Sequence, residues 1–241
     1  MIPLKDDNPT TTTPFVTYAI IAVCVFVFIL EIGSNSYNSG KLFYSYGLVP
    51  AVLTGKAELP SHLAALPAEL TLLTSMFMHG GFMHLIGNML YMWIFADNIE
   101  DEIGPVKFFI FYILAGIAAA LTQVFMNTSS TIPMIGASGA IGGVLGAYIV
   151  NHPKAKVLVL IPLGFFSQII KVPAFFVLGF SIVFSTLGVL INSVLVENVN
   201  DFTDSLNIIA GIIIIIFGIF LILSTKINSL NKEKQLQKNL N

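Results

Sequence analysis

Six apolar blocks dominate the chain, at about 15–32, 82–96, 106–126, 138–151, 172–193 and 206–224. A helix needs roughly 20 consecutive apolar residues to cross a bilayer, and four of the blocks approach or exceed that length. The second and fourth are shorter and start with polar residues, which predicts helices that begin or open inside the membrane. Residues are 56% hydrophobic and only 10% charged, against about 25% charged in an ordinary soluble domain. The blocks therefore predict an all-α, polytopic six-transmembrane-helix bundle.

The basic residues fix an orientation. All 11 are lysines. Lys5 precedes the first block, Lys107 separates the second from the third, and Lys154, Lys156 and Lys171 lie between the fourth and fifth. Lys226, Lys232, Lys234 and Lys238 follow the sixth, whereas the opposite side receives only Lys41 and Lys56. Lysine retained on one side is the positive-inside pattern, so both termini are expected in the cytoplasm. A prokaryotic plasma membrane is the expected location. The net charge of −2 and the lack of a basic stripe give no reason to expect a nucleic-acid partner.

Three segments follow: 1–14 as a cytoplasmic N-terminus, 15–224 as one membrane domain, and 225–241 as a polar cytoplasmic tail. No cleavable leader is expected, because the first block is too long and no small-residue cleavage site follows it. The loop at 33–78 is too apolar for disorder. Leu42, Phe43, Tyr44, Leu48, Val49, Val52 and Leu53 precede a Leu/Ala-rich stretch at 63–73, which predicts short interfacial helices between spans 1 and 2. His62 reads as an exposed loop residue. Cys24, the one cysteine, can close no internal disulfide and reads as a core residue.

Polar groups inside spans need partners and are functional candidates by default. His84 and Asn88 are four apart and share a helix face, with His79 just above them. The bland alternative is a set of interhelical hydrogen bonds worth about 0.6–2 kcal/mol each. Ser138 stands at a predicted helix start between Gly136 and Gly139, near free backbone N–H groups that favour a developing oxyanion. Gly139, Gly142, Gly143 and Gly146 make a small-residue face for close helix approach. Taken alone, Ser138 is equally a helix cap.

Together these segments resemble a known family. The run His79–Asp101, including Asn88-Met89-Leu90-Tyr91-Met92-Trp93 and Asp97-Asn98-Ile99-Glu100-Asp101, is similar to that of the rhomboid intramembrane serine proteases. So are Gly136-Ala137-Ser138-Gly139-Ala140-Ile141-Gly142-Gly143, Ile161-Pro162-Leu163-Gly164 and Val172-Pro173-Ala174-Phe175-Phe176. The resemblance implies a rhomboid-like bundle that cleaves transmembrane substrates. It makes Ser138 the nucleophile, with His84, Asn88 and the Ser138 N–H lining the oxyanion hole. His79, Gly136, Gly139 and Gly142 then border the cavity.

One residue departs from that pattern. The family's general base is a sixth-span histidine, but the four histidines are His62, His79, His84 and His152. Counting from the matched fifth span puts Asn207 at the base position. An amide has no lone pair basic enough to activate Ser138, and a serine at its own pKa is a weak nucleophile. Gly142 leaves open a space that the family often fills with an aromatic ring.

Other bases are poor. His152, about 21 Å along the helix at roughly 1.5 Å per residue, reads as a surface loop residue before Pro153. His84 would have to give up its oxyanion role, and Asp204 lies one turn above Asn207. Two functions stay open: a weak or inactive pseudoprotease that binds client transmembrane helices in the lipid bilayer, or an active serine protease with a non-standard base such as His84. A small-solute transporter is a third, weaker alternative, since no Asp, Glu or Lys lies deep in a span. No metal is expected, because His79 and His84 are off one-face spacing. No cofactor is expected either, because the glycine run lacks the strand that a phosphate loop needs.

Overall fold

A computed structural model of the protein describes residues 2–34, 36–163 and 166–178. Most of the fifth predicted span, the sixth with Asn207, and the 225–241 tail lie outside the described residues. The elements are β1 (Ile2–Asp6), α1 (Phe15–Gly33), α2 (Ser36–Tyr46), α3 (Pro50–Leu53), α4 (Thr71–Thr74), α5 (Phe82–Ile103), α6 (Pro105–Met126), α7 (Ser138–Asn151), β2 (Lys156–Leu163) and β3 (Phe166–Pro173). Among the described residues, α1 and α6 are long and apolar enough to cross a membrane.

Helix α5 runs past the predicted limit at 96 to Ile103, 22 residues in all. Its polar end Asp97–Glu102 stays helical because those side chains find partners. Gly104, at φ +81°, then turns the chain, and Pro105 opens α6 at its first position. A left-handed residue after one helix and a proline at the start of the next suit such a sharp corner.

Helix α1 lies along α5. Tyr18 stacks on Trp93 at 5.3 Å, and Phe28 meets Phe82 edge-on at 5.0 Å. Cys24, Met92, Phe95, Phe108, Tyr112 and Tyr148 are fully buried between the helices. Of the small-residue face predicted for α7, Gly139 packs closely against α6, whereas Gly142 faces open space among the described residues. A Cβ added at Gly139 would stand 2.5 Å from the Ala119 Cβ of α6.

The loop between α1 and α5 forms short helices, as expected, though its Leu/Ala-rich part becomes helical only from Ala68. Leu48 N–H donates to the Met134 carbonyl, and Ala51 N–H to the Ser130 carbonyl. The loop thus caps the α6–α7 connection.

The all-α expectation needs correction. Strands β1, β2 and β3 form an antiparallel sheet in that order, with Ile2 opposite Leu160 and Lys156 opposite Pro173. The predicted start of the fifth span at 172 therefore belongs to a strand, and helical backbone begins at 174. Val157 and Val159 are fully buried while Leu158 and Leu160 are half-buried, the two-residue period of a strand with one covered face.

Polar side chains tie this sheet to the helices. Tyr148 Oη–H donates to Asp6 Oδ2 at 2.6 Å, and Asn98 Nδ2 donates to the same oxygen at 3.0 Å. Asn8 Nδ2 donates to Asn98 Oδ1 and approaches His152 Nδ1 at 3.1 Å. His152 also meets Glu102 Oε2 at 3.6 Å and rests on the Tyr148 ring. It is a member of the network, contrary to its sequence reading as a plain surface loop residue.

Burial raises the Asp6 carboxyl above its ordinary 3.8, against the hydrogen bonds from Tyr148 and Asn98. The folded carboxyl thus holds its proton more tightly than the unfolded one. Ionising Asp6 costs stability as pH rises above 3.8, and the loss is complete once pH passes the raised folded value. An Asp6→Asn variant, whose amide oxygen accepts the same two bonds, is expected to gain melting temperature relative to wild type progressively as pH rises above 3.8. A difference that stays flat over that rise counts against this account.

Candidate active site

The candidate site has two halves: the His84–Asn88 face of α5 is the first half-site and the Gly136–Ser138 segment is the second. The second opens with a turn that only glycine adopts readily. Gly136 sits at φ +122°, and its N–H donates to the Ser75 carbonyl at 2.8 Å. Ala137 caps α7, and Ser138, exposed, begins it. The backbone N–H groups of this first turn have no partners within the helix.

The first half-site faces that turn from α5. A Cβ added at Gly136 would lie 2.7 Å from His84 Nε2 and 3.8 Å from Asn88 Nδ2. The two predicted half-sites therefore meet at the Gly136 backbone, two residues before Ser138. Any side chain at 136 would collide with His84 and occupy the junction.

Hydrogen bonds assign the protons. Gly80 N–H donates to His84 Nδ1 at 3.4 Å, so the neutral His84 ring carries its hydrogen on Nε2, the atom turned toward Gly136. Asn88 is buried, and its Nδ2 has no hydrogen-bond partner among the described residues. An unmet buried donor is costly in a finished core but suits a site that receives an acceptor.

His79 is 1% exposed, and its ring meets that of His84 edge-on at 5.1 Å. Its Nδ1–H donates to the Phe77 carbonyl at 3.3 Å, leaving Nε2 bare. Burial foremost, with the nearby His84, pulls its pKa down to about 4, so the ring is neutral near pH 7. Gly142 has open space around it among the described residues. His62 is exposed in a turn, as expected. Sequence reasoning passed over Glu31, which is 3% exposed and accepts the His79 N–H at 3.3 Å. Its signal was a single carboxylate near the end of an otherwise apolar block.

The family model for the rhomboid domain matches residues 68–224 of the 241-residue chain. The chain belongs to the rhomboid family. This rhomboid is 33% identical over 98 residues to "Rhomboid protein 1, mitochondrial" of Saccharomyces cerevisiae, a match covering 39% of this chain and 28% of that protein. It is 34% identical over 137 residues to "Rhomboid protease GluP" of Bacillus subtilis, covering 56% of this chain and 24% of the relative. It is also 35% identical over 78 residues to "Inactive rhomboid protein 1" of Drosophila melanogaster, covering 32% and 5% respectively. The chain thus spans about a quarter or less of these curated relatives. It is a rhomboid-family membrane protein whose relatives carry both protease and inactive names.

Proposed function

We propose that this rhomboid holds transmembrane helices of client proteins at the Ser138 cavity and cleaves them slowly or not at all. One juxtaposition carries the proposal: His84 and Asn88 aim donors at the turn before Ser138, while no histidine follows residue 152. The oxyanion groups would be His84 Nε2–H, Asn88 Nδ2 and the Ser138 N–H. Preorganised donors of this kind are typically worth about 10²–10³ each in rate, but they act on charge that a nucleophile must first create. With Asn207 in the base position, nothing draws the proton from Ser138. The domain at 15–224 would sit in a plasma membrane with both termini cytoplasmic.

The active-protease alternative draws support from the relative named a protease, with His84 as a non-standard base. In its present arrangement His84 Nε2 carries hydrogen, so it donates and cannot accept. A fluorophosphonate probe separates the two, because phosphonylation needs an activated hydroxyl. The purified rhomboid is expected to resist labelling. Rapid labelling that vanishes in Ser138→Ala would establish the active enzyme instead.

A further inference from the structure

A buried carboxylate of α1 reaches the junction from behind. Glu31 Oε2 accepts the His79 backbone N–H, and the next residue, Gly80, donates its N–H to His84 Nδ1. The His79 side chain adds a second anchor through its Nδ1–H bond to the Phe77 carbonyl. The backbone approaching α5 is thus pinned to a rigid helix one residue before the amide that contacts His84.

A neutral imidazole carries one hydrogen, and the group bonded to one nitrogen decides the state of the other. A backbone N–H can only donate, so Gly80 requires a bare Nδ1 and a protonated Nε2. If the Gly80 peptide turned away, Nδ1 would lose that bond. His84 could then place its hydrogen on either nitrogen, and a bare Nε2 would repel a developing oxyanion. We propose that Glu31 is a positioning residue of the Ser138 site, acting through His79 and Gly80 to hold His84 in the tautomer that presents Nε2–H. The role at Ser138 rests on the oxyanion reading above; the tautomer itself does not.

Nitrogen NMR of histidine-labelled full-length protein in bicelles tests it, with His84→Gln used to assign the His84 signals. Wild type is expected to show His84 with well-separated bare Nδ1 and protonated Nε2 resonances. Glu31→Gln keeps that pattern, because its amide oxygen still accepts the His79 N–H. Glu31→Leu removes the acceptor, and the two His84 resonances are expected to converge toward an average. Should Glu31→Leu not fold, Glu31→Asp withdraws the acceptor by one methylene and should give the same convergence. A His84 pattern unchanged in Glu31→Leu, or in Glu31→Asp where Glu31→Leu does not fold, a pattern that converges in Glu31→Gln, or Nδ1–H in wild type overturns the proposal. No turnover enters this measurement, so its failure and that of the weak-protease reading are separately visible.

Discussion

Restoring histidine at position 207 is expected to raise cleavage of a transmembrane substrate by about 10²–10⁴-fold, the usual worth of a general base. On the proposed reading the other groups are ready: His84 and Asn88 face the Gly136 turn, two residues before Ser138 opens α7. If the proposed assignment holds, Asn207→His supplies the base that Ser138 needs. The gain must vanish in the Ser138→Ala, Asn207→His double variant, which separates it from a contaminating protease. Asn207→Gln, similar in bulk but no base, should leave the rate at the wild-type level. Cleavage by Asn207→His no faster than wild type would mean either that position 207 does not face Ser138 or that the cavity has been remodelled around client binding.

The candidate site was visible in the sequence because hydrocarbon makes polar residues conspicuous. His84, Asn88 and Ser138 stand out from apolar blocks, and Gly136 from a short glycine run. What no local pattern announced was their meeting point, since the contact between His84 and Gly136 joins α5 to the start of α7 across α6. Residues 157–161 are an unbroken apolar run without the alternation that marks a half-covered strand, and the lysines at 154, 156 and 171 marked the region as a loop. Its partner β1 lies about 150 residues earlier in the chain. Strand formation depends on such pairing more than on intrinsic preference. Asn98, Glu100 and Asp101 lie just past the second apolar block, and their partners Asp6, Asn8, Thr11, Thr12, Val16 and Thr17 lie near the N-terminus, so only packing brings the two together.

Of those residues, Glu100 carries the largest expected effect on stability. Helix α1 starts after Pro14, which has no side-chain acceptor, and no side chain of its own caps the first turn. Glu100, 2% exposed, does so from α5. Its Oε1 accepts Val16 N–H at 2.9 Å, while its Oε2 accepts Thr17 N–H at 2.7 Å and Thr17 Oγ1–H at 2.8 Å. The carboxylate also faces the positive end of the α1 dipole. Neighbouring Asp101 continues the clamp, accepting the N–H groups of Thr11 and Thr12 at 2.9 Å each and both of their hydroxyls. Glu100→Ala strands two buried donors on Thr17 and a half-buried one on Val16, and each buried loss costs about 1–3 kcal/mol, so a destabilisation on the order of 3 kcal/mol is expected. Thr17→Val removes one donor together with its hydroxyl and should cost only about 1 kcal/mol. Because both act on one cluster, the double variant should be scarcely worse than Glu100→Ala alone, a non-additivity that independent sites would not show. Thermal unfolding in detergent measures all three. If Glu100→Ala melts no lower than Thr17→Val, the carboxylate is not what holds α1 to α5, and the aromatic pairs Tyr18–Trp93 and Phe28–Phe82 must do so instead.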